Sequence, residues 1–351
     1  MRRDSARLRN AVLVVCLAAG PLQAVRITEP VTGVQGVHGI VADRRSYIRF
    51  VRGDDFEWFD PRTVAPNADG TDAVALKEIA VAADGSVWGT EPGANKIWRL
   101  LPWNPAAYTS FTPPTPGSAP TGICAGPDGN IWFTEFGANK IGRITLSGTI
   151  VEFPIPTPNG QPNAIIVGPD GNLWFTEYEG NKIGRMTRNG VLLKEYDLPS
   201  AGAYPAGLVS STERIYVTEP GVNKLAAFYY DEWSGFNFLM EADIPSPNSA
   251  PQKIVVGPDE ALWFTEFLGN KIGRWDPGWP ITEYPIPTPA SQPYGLTAAR
   301  NGDLWFTETA TGKIGRVEIS VPGDVNGDGH VDVSDVFHLI NFLFASGPAP
   351  K

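Results

Sequence analysis

The sequence predicts an all-β propeller followed by a short calcium-binding segment. Three observations carry that expectation. A short aromatic-containing motif ending in Thr-Glu returns at a nearly constant interval. Gly and Pro, 38 and 33 of the 351 residues, favour many tight turns over long helices. Eleven Trp are many for this length, and several of them mark the repeat. Hydrophobic residues at 42% suffice for a large core. The net charge of −10 and the lack of a basic stripe exclude a nucleic-acid surface.

Residues 1–24 predict a secretion signal. Arg2, Arg3, Arg7 and Arg9 precede the apolar run from Ala11 to Ala19, and Gly20-Pro21-Leu22-Gln23-Ala24 offers a cleavage region. The run is too short to span a bilayer, and no other run is long enough. Export of a monomer is the expectation. Removing this segment takes away four Arg and one Asp, which moves the net charge from −10 to −13. Of the two Cys, Cys16 leaves with the signal, so Cys124 remains unpaired and reads as a small core residue.

Residues 25–320 hold the repeat. Trp132-Phe133-Thr134-Glu135 returns as Trp174 to Glu177, Trp263 to Glu266 and Trp305 to Glu308. Looser copies are Trp88-Gly89-Thr90-Glu91 and Tyr216-Val217-Thr218-Glu219, and a degenerate one centres on Tyr47. Intervals near forty-two residues with strand-like content indicate propeller blades, seven by this count and six if the degenerate copy is set aside. Each unit divides into four strands. An apolar inner strand such as Asn163 to Val167 leads through Pro169-Asp170-Gly171, a tight turn, to Leu173–Tyr178. That second strand alternates, with Leu173, Phe175 and Glu177 on one face and Trp174 and Thr176 on the other. Asn181-Lys182-Ile183-Gly184-Arg185 begins the third strand, and Pro-flanked segments such as Ile150 to Pro154 suit an outer edge. The longest interval places an insertion at Tyr229 to Glu241, on an outer hairpin.

The last repeat stops after Arg316 without an outer strand, while Ile27-Thr28-Glu29-Pro30 resembles the outer strand at Ile281 to Pro285. The N-terminus is therefore expected to complete the final blade. Repetition also separates structure from function. Glu91, Glu135, Glu177, Glu219, Glu266 and Glu308 share one repeat position, and a catalytic acid is needed once; these read as structural, pairing with Arg143, Arg185, Arg274 and Arg316. The Trp of the motif reads as packing between blades. Function is expected where the repeats differ. The start of the inner strands holds His38, Lys77, Thr121, Asn163, Ala206, Gln252 and Tyr294, an asymmetric polar ring suited to a ligand channel for a small molecule or peptide. His38, Tyr294, Lys77 and Glu78 are the candidates for chemistry there.

The runs Gly168 to Glu177, Gly180 to Arg185 and Glu283 to Pro289 are similar to those of streptogramin B lyases, also called virginiamycin B lyases, and the likeness covers residues 25–319. The resemblance implies a seven-bladed propeller. It also implies magnesium-assisted elimination that opens a cyclic depsipeptide at its ester, with the metal polarising the carbonyl and a His as base. In that family a His follows Pro on the inner strands of two adjacent blades, with an acid nearby. Here those slots hold His38, preceded by Val37, and Tyr294, and the acid's slot holds Val51. The other two His, His330 and His338, lie outside the propeller. Whether the chain is an enzyme stays open at this level.

Residues 323–345 form a separate module, with 346–351 as a tail. Asp324, Asn326, Asp328, Asp332 and Asp335 fall at the oxygen-ligand positions of a calcium loop, the His330 carbonyl fills another, and Gly329 permits the sharp turn. Asp335 at the final position and the helix-like run Val336 to Phe344 resemble a single dockerin repeat. That resemblance implies calcium binding and a cohesin-like or other protein partner.

Overall fold

A computed structural model describes residues 25–32, 37–43, 47–52, 55–59, 66–68, 76–101, 104–231 and 235–319. The expected signal segment 1–24 and the calcium module 323–345 lie outside the described residues. All described elements are strands, and they form seven four-stranded antiparallel sheets. In chain order the inner strands are Ile40–Ala42, Glu78–Val81, Pro120–Ala125, Pro162–Val167, Leu208–Ser210, Pro251–Val256 and Pro293–Ala298; we number the sheets 1 to 7 after them. Each inner strand touches the next, and that of sheet 7 touches that of sheet 1, so the inner strands enclose a central channel. This is a propeller of four-stranded blades.

The core lies between sheets, not within them. Trp132 is fully buried among Ile165, Leu173 and Phe175 of the following sheet. Trp174 packs on Leu208 and Val217, Trp263 on Leu296 and Phe306, and Trp305 on Ile40 and Phe50, which closes the circuit. A flat sheet can bury both faces only by stacking on a neighbour, so every blade depends on the next. Gly142 sits under its sheet's Phe: a Cβ there would lie 2.2 Å from Phe133 Cζ, which explains the Gly of the Lys-Ile-Gly-Arg segment.

Closure occurs as the sequence implied. Val25–Thr32 is the outermost strand of sheet 7 and pairs antiparallel with Lys313–Ile319. Glu29 accepts from Lys313 Nζ at 2.5 Å and from Thr288 N–H at 2.8 Å. It thereby fills the place that Glu283 fills in sheet 6, where Lys271 donates at 2.9 Å and Ser246 N–H at 2.9 Å. The insertion lengthens the outer hairpin of sheet 5, Lys224–Asp231 with Gly235–Asp243.

The expected pairing of the repeated Glu with Arg is corrected. Arg185 and Arg274 bind the Asp of the tight turn instead, Arg185 Nε to Asp170 and Arg274 Nε to Asp259, both at 2.7 Å. Arg143 and Arg316 pair likewise with Asp128 and Asp303. The same Asp170 accepts from Trp174 Nε1 at 3.0 Å, and the Arg185 guanidinium lies over that indole at 5.6 Å. Register decides this. Trp174 faces Arg185 across the sheet, whereas Glu177 faces Lys182 at the opposite end of the strand.

Candidate functional site

The repeated Thr fixes the channel wall. Thr134 Oγ1 accepts the Gly122 N–H of its own inner strand at 2.7 Å and donates to the Asn163 carbonyl of the next sheet at 2.7 Å. Thr218 joins Gly207 N–H to the Gln252 carbonyl, each at 2.7 Å. Thr307 carries the pattern across the closure, from Gly295 N–H to the His38 carbonyl at 2.9 Å. Thr90, Thr176 and Thr265 do the same for Thr121, Ala206 and Tyr294. A constant residue thus holds the backbone of six of the seven variable ones, so side chains change there while their origins stay fixed.

The seven residues expected at the channel come together. Thr121, Asn163, Ala206, Gln252 and Tyr294 line an open cavity of about 470 Å³, together with Glu78 and Lys253. His38 and Lys77 stand beside it against Tyr294. The His38 ring meets the Tyr294 ring edge-on at 6.0 Å, and the Lys77 ammonium lies 5.1 Å from the Tyr294 centroid, within cation–π range. Aromatic contacts continue beyond the cavity, with Phe267 6.4 Å from Tyr294 and Tyr178 5.1 Å from the exposed Tyr204.

Sequence reasoning missed Lys253 and its partner's role. Lys253 Nζ lies 2.7 Å from Glu78 Oε2. Their inner strands are not neighbours: those of sheets 1 and 7 separate them on one side, and those of sheets 3, 4 and 5 on the other. The ion pair therefore crosses the channel as a bar. A signal for it exists in the repeats. The residue after each channel position is Gly39, Gly122, Ala164, Gly207 or Gly295 in five sheets, and only Glu78 and Lys253 are large. Small residues are the rule because space is scarce; a Cβ at Gly122 would come within 2.2 Å of the Asn163 carbonyl oxygen.

Electrostatics distinguish the channel groups. Burial among protein atoms lowers the His38 pKa below its ordinary 6.5, Lys77 lowers it further, and Glu78 opposes both. His38 is nevertheless exposed at its surface. It is a neutral imidazole at pH 7, able to accept a proton or a hydrogen bond. Burial raises the Tyr294 phenol, which stays protonated. Among the described residues Glu78 is the only carboxylate lining the cavity, and it is engaged by Lys253. Among the described residues no group of three or more His, Cys, Asp or Glu could hold a metal. The donors at this channel do not fit the magnesium that the family resemblance implies.

Five of the repeated Glu, Glu135, Glu177, Glu219, Glu266 and Glu308, are fully buried. Burial pushes Glu135 and Glu219 up to about 8 and Glu177, Glu266 and Glu308 up to about 7. Each also faces the carboxylate of a Lys–Glu pair on its own sheet, Glu152 with Lys140 beside Glu135 for example. None lines the cavity. Cys124 is half-buried, and burial raises its thiol to about 12, consistent with an inert core residue.

A closed ring of four-stranded sheets with an asymmetric polar cluster in its channel defines a β-propeller. Within that class, the chain belongs to the virginiamycin B lyase family, whose profile matches residues 63–233 and 234–327. A structure described as streptogramin B lyase superposes with a TM-score of 0.77 at 32% identity, covering 84% of this chain and 98% of that one. A catalytically inactive variant of virginiamycin B lyase from Staphylococcus aureus with quinupristin gives 0.76 at 30% identity, covering 85% and 100%. A hydrazine synthase from Kuenenia stuttgartiensis, at 14% identity and a TM-score of 0.68, shares the fold alone. Comparison with curated proteins gives no match.

Proposed function

We propose that this protein is an exported, seven-bladed member of the family that binds a small ligand at the channel around His38, Lys77 and Tyr294, and that it is not a streptogramin lyase. The observation that carries this is the Glu78–Lys253 bar. It occupies the lumen beside His38, where a macrocycle would have to seat its ester against the base. Tyr294, with its phenol held protonated, stands in place of a second His. Incubation with streptogramin B and magnesium, followed by chromatography and mass analysis, should leave the antibiotic cyclic. A linear product of unchanged mass would establish the alternative, a magnesium-assisted lyase. For binding, His38 is the only His of the propeller, so its imidazole signals in a small-molecule NMR screen are an isolated probe. Saturable shifts are expected, and a screen without any refutes the channel as a site.

The C-terminal segment is proposed to bind calcium and to attach the propeller to a cohesin-like or other protein partner. Asp324, Asp328, Asp332 and Asp335 place four carboxylates within twelve residues, which repel one another until a cation compensates them. Calorimetric titration of the full chain should show saturable calcium binding that Asp335→Ala removes. No saturable heat in the unmutated chain overturns this reading.

A further inference from the structure

The charges inside the channel do not match those of the whole chain. The protein carries −10, yet Lys77, Lys253 and Glu78 leave the channel with one positive charge in excess, because His38 is neutral. Glu78 is spent on Lys253 at 2.7 Å. Lys77 lies against the Tyr294 ring and has no carboxylate in ion-pair contact among the described residues. Its ammonium is held in place by an aromatic face and lacks a counter-ion, in a concave site where water screens charge weakly.

The bar also narrows the lumen. The cavity is lined mainly by the inner strands of sheets 3, 4 and 5, with Gln252 of sheet 6 and Tyr294 of sheet 7; Asn163 and Gln252 offer amide groups there, and Ile165 and Leu208 offer apolar wall. Lys77 adjoins this compartment through Tyr294, which lines it. A ligand that satisfies all of these groups is short, singly negative, and carries an amide and a small apolar side chain.

We infer that the channel recognises a small N-acyl amino-acid-type carboxylate, its carboxylate on Lys77 beside Tyr294 and its amide and side chain in the compartment walled by Asn163, Gln252 and Leu208. This rests on the reading of the channel as a ligand site and adds the ligand's class. The Glu78–Lys253 bar sets the size limit. It also leaves Lys77 as the one unneutralised cation among the described channel residues, which makes the preference one for a single negative charge.

The test compares three related probes by NMR titration of His38 in the full-length protein: N-acetylvaline, its isosteric neutral amide N-acetylvalinamide, and the cation valinamide, which lacks the acetyl group. N-acetylvaline should bind saturably and about tenfold or more tightly than either of the others, the scale of a hydrogen bond to a charged group. Lys77→Met should abolish that preference, Lys77→Arg should retain it, and Glu78→Gln should strengthen anion binding by freeing Lys253. Equal binding of N-acetylvaline and N-acetylvalinamide overturns the inference while leaving the channel as a ligand site. So does an unchanged preference in Lys77→Met, or no binding of N-acetylvaline when other small molecules still shift His38.

Discussion

Thr176 shows how much of the molecule rests on single hydroxyl groups. Its Oγ1 accepts Ala164 N–H at 2.9 Å and donates to the Ala206 carbonyl at 3.3 Å, so one buried atom joins sheets 4 and 5. Thr176→Val preserves shape and removes both bonds. The Ala164 N–H then lacks its partner and the Ala206 carbonyl keeps only the Asn163 Nδ2 donor at 3.4 Å, at about 1–3 kcal/mol for the orphaned group. The variant should unfold at clearly lower denaturant with an unchanged slope, and an unchanged midpoint would show that the bridge contributes nothing. Glu177 makes the contrasting case. It is buried and its carboxyl is pushed up to about 7, so at a pH of roughly 5 to 6 Glu177→Gln substitutes one neutral group for another and should cost little. The alternating pattern of this strand was legible in the sequence. The partners were not, because Ala206 reaches Thr176 only across a sheet boundary.

At the scale of the element, the N-terminal strand differs from all others in its distance from its partners along the chain. Val25–Thr32 brings Glu29 to Lys313, and Val25 and Ile27 cover the core between sheets 6 and 7. Val31 enters the core between sheets 7 and 1. Deleting residues 25–32 exposes both cores and strips Lys313 of its carboxylate. The truncated protein should melt far below the intact one, and a synthetic 25–32 peptide should restore part of the loss. Equal melting of the two chains would show that closure does not depend on this strand. Here the sequence sufficed: the final repeat lacks an outer strand and an unassigned copy of one stands at the start.

The molecule as a whole combines two opposed sets of carboxyls. Glu135, Glu177, Glu219, Glu266 and Glu308 titrate at about 7 to 8 in the folded state, against 4.5 ordinarily. The folded state thus keeps protons that the unfolded chain releases, so their contribution is complete below the ordinary value and is lost as pH rises through 7 to 8. Glu29, Glu152, Glu241 and Glu283, held by Lys and backbone donors, are shifted below their ordinary values despite burial. Their contribution is present above the ordinary value and is lost as pH falls through the folded one. The melting temperature should therefore peak near the ordinary carboxyl value, at roughly pH 4.5, and fall on both sides. Replacing the five buried Glu by Gln should flatten the alkaline limb and leave the acid limb. An alkaline limb as steep as before would mean that other groups cause it.

The sequence by itself determined the propeller, the closure and the positions facing the channel, because each follows from a period. Strand alternation and tight-turn residues act locally, and repetition at about forty-two residues makes the local pattern count the blades. It also marked the repeated Glu as structural, although it assigned them the wrong partners, since Arg185 and Glu177 lie at opposite ends of one sheet. Only the tertiary structure decided what crosses the lumen. Glu78 and Lys253 are 175 residues apart, and nothing in either repeat refers to the other. Their ion pair exists because the ring closes and sets two inner strands across from each other, and a distance through space has no counterpart along the chain.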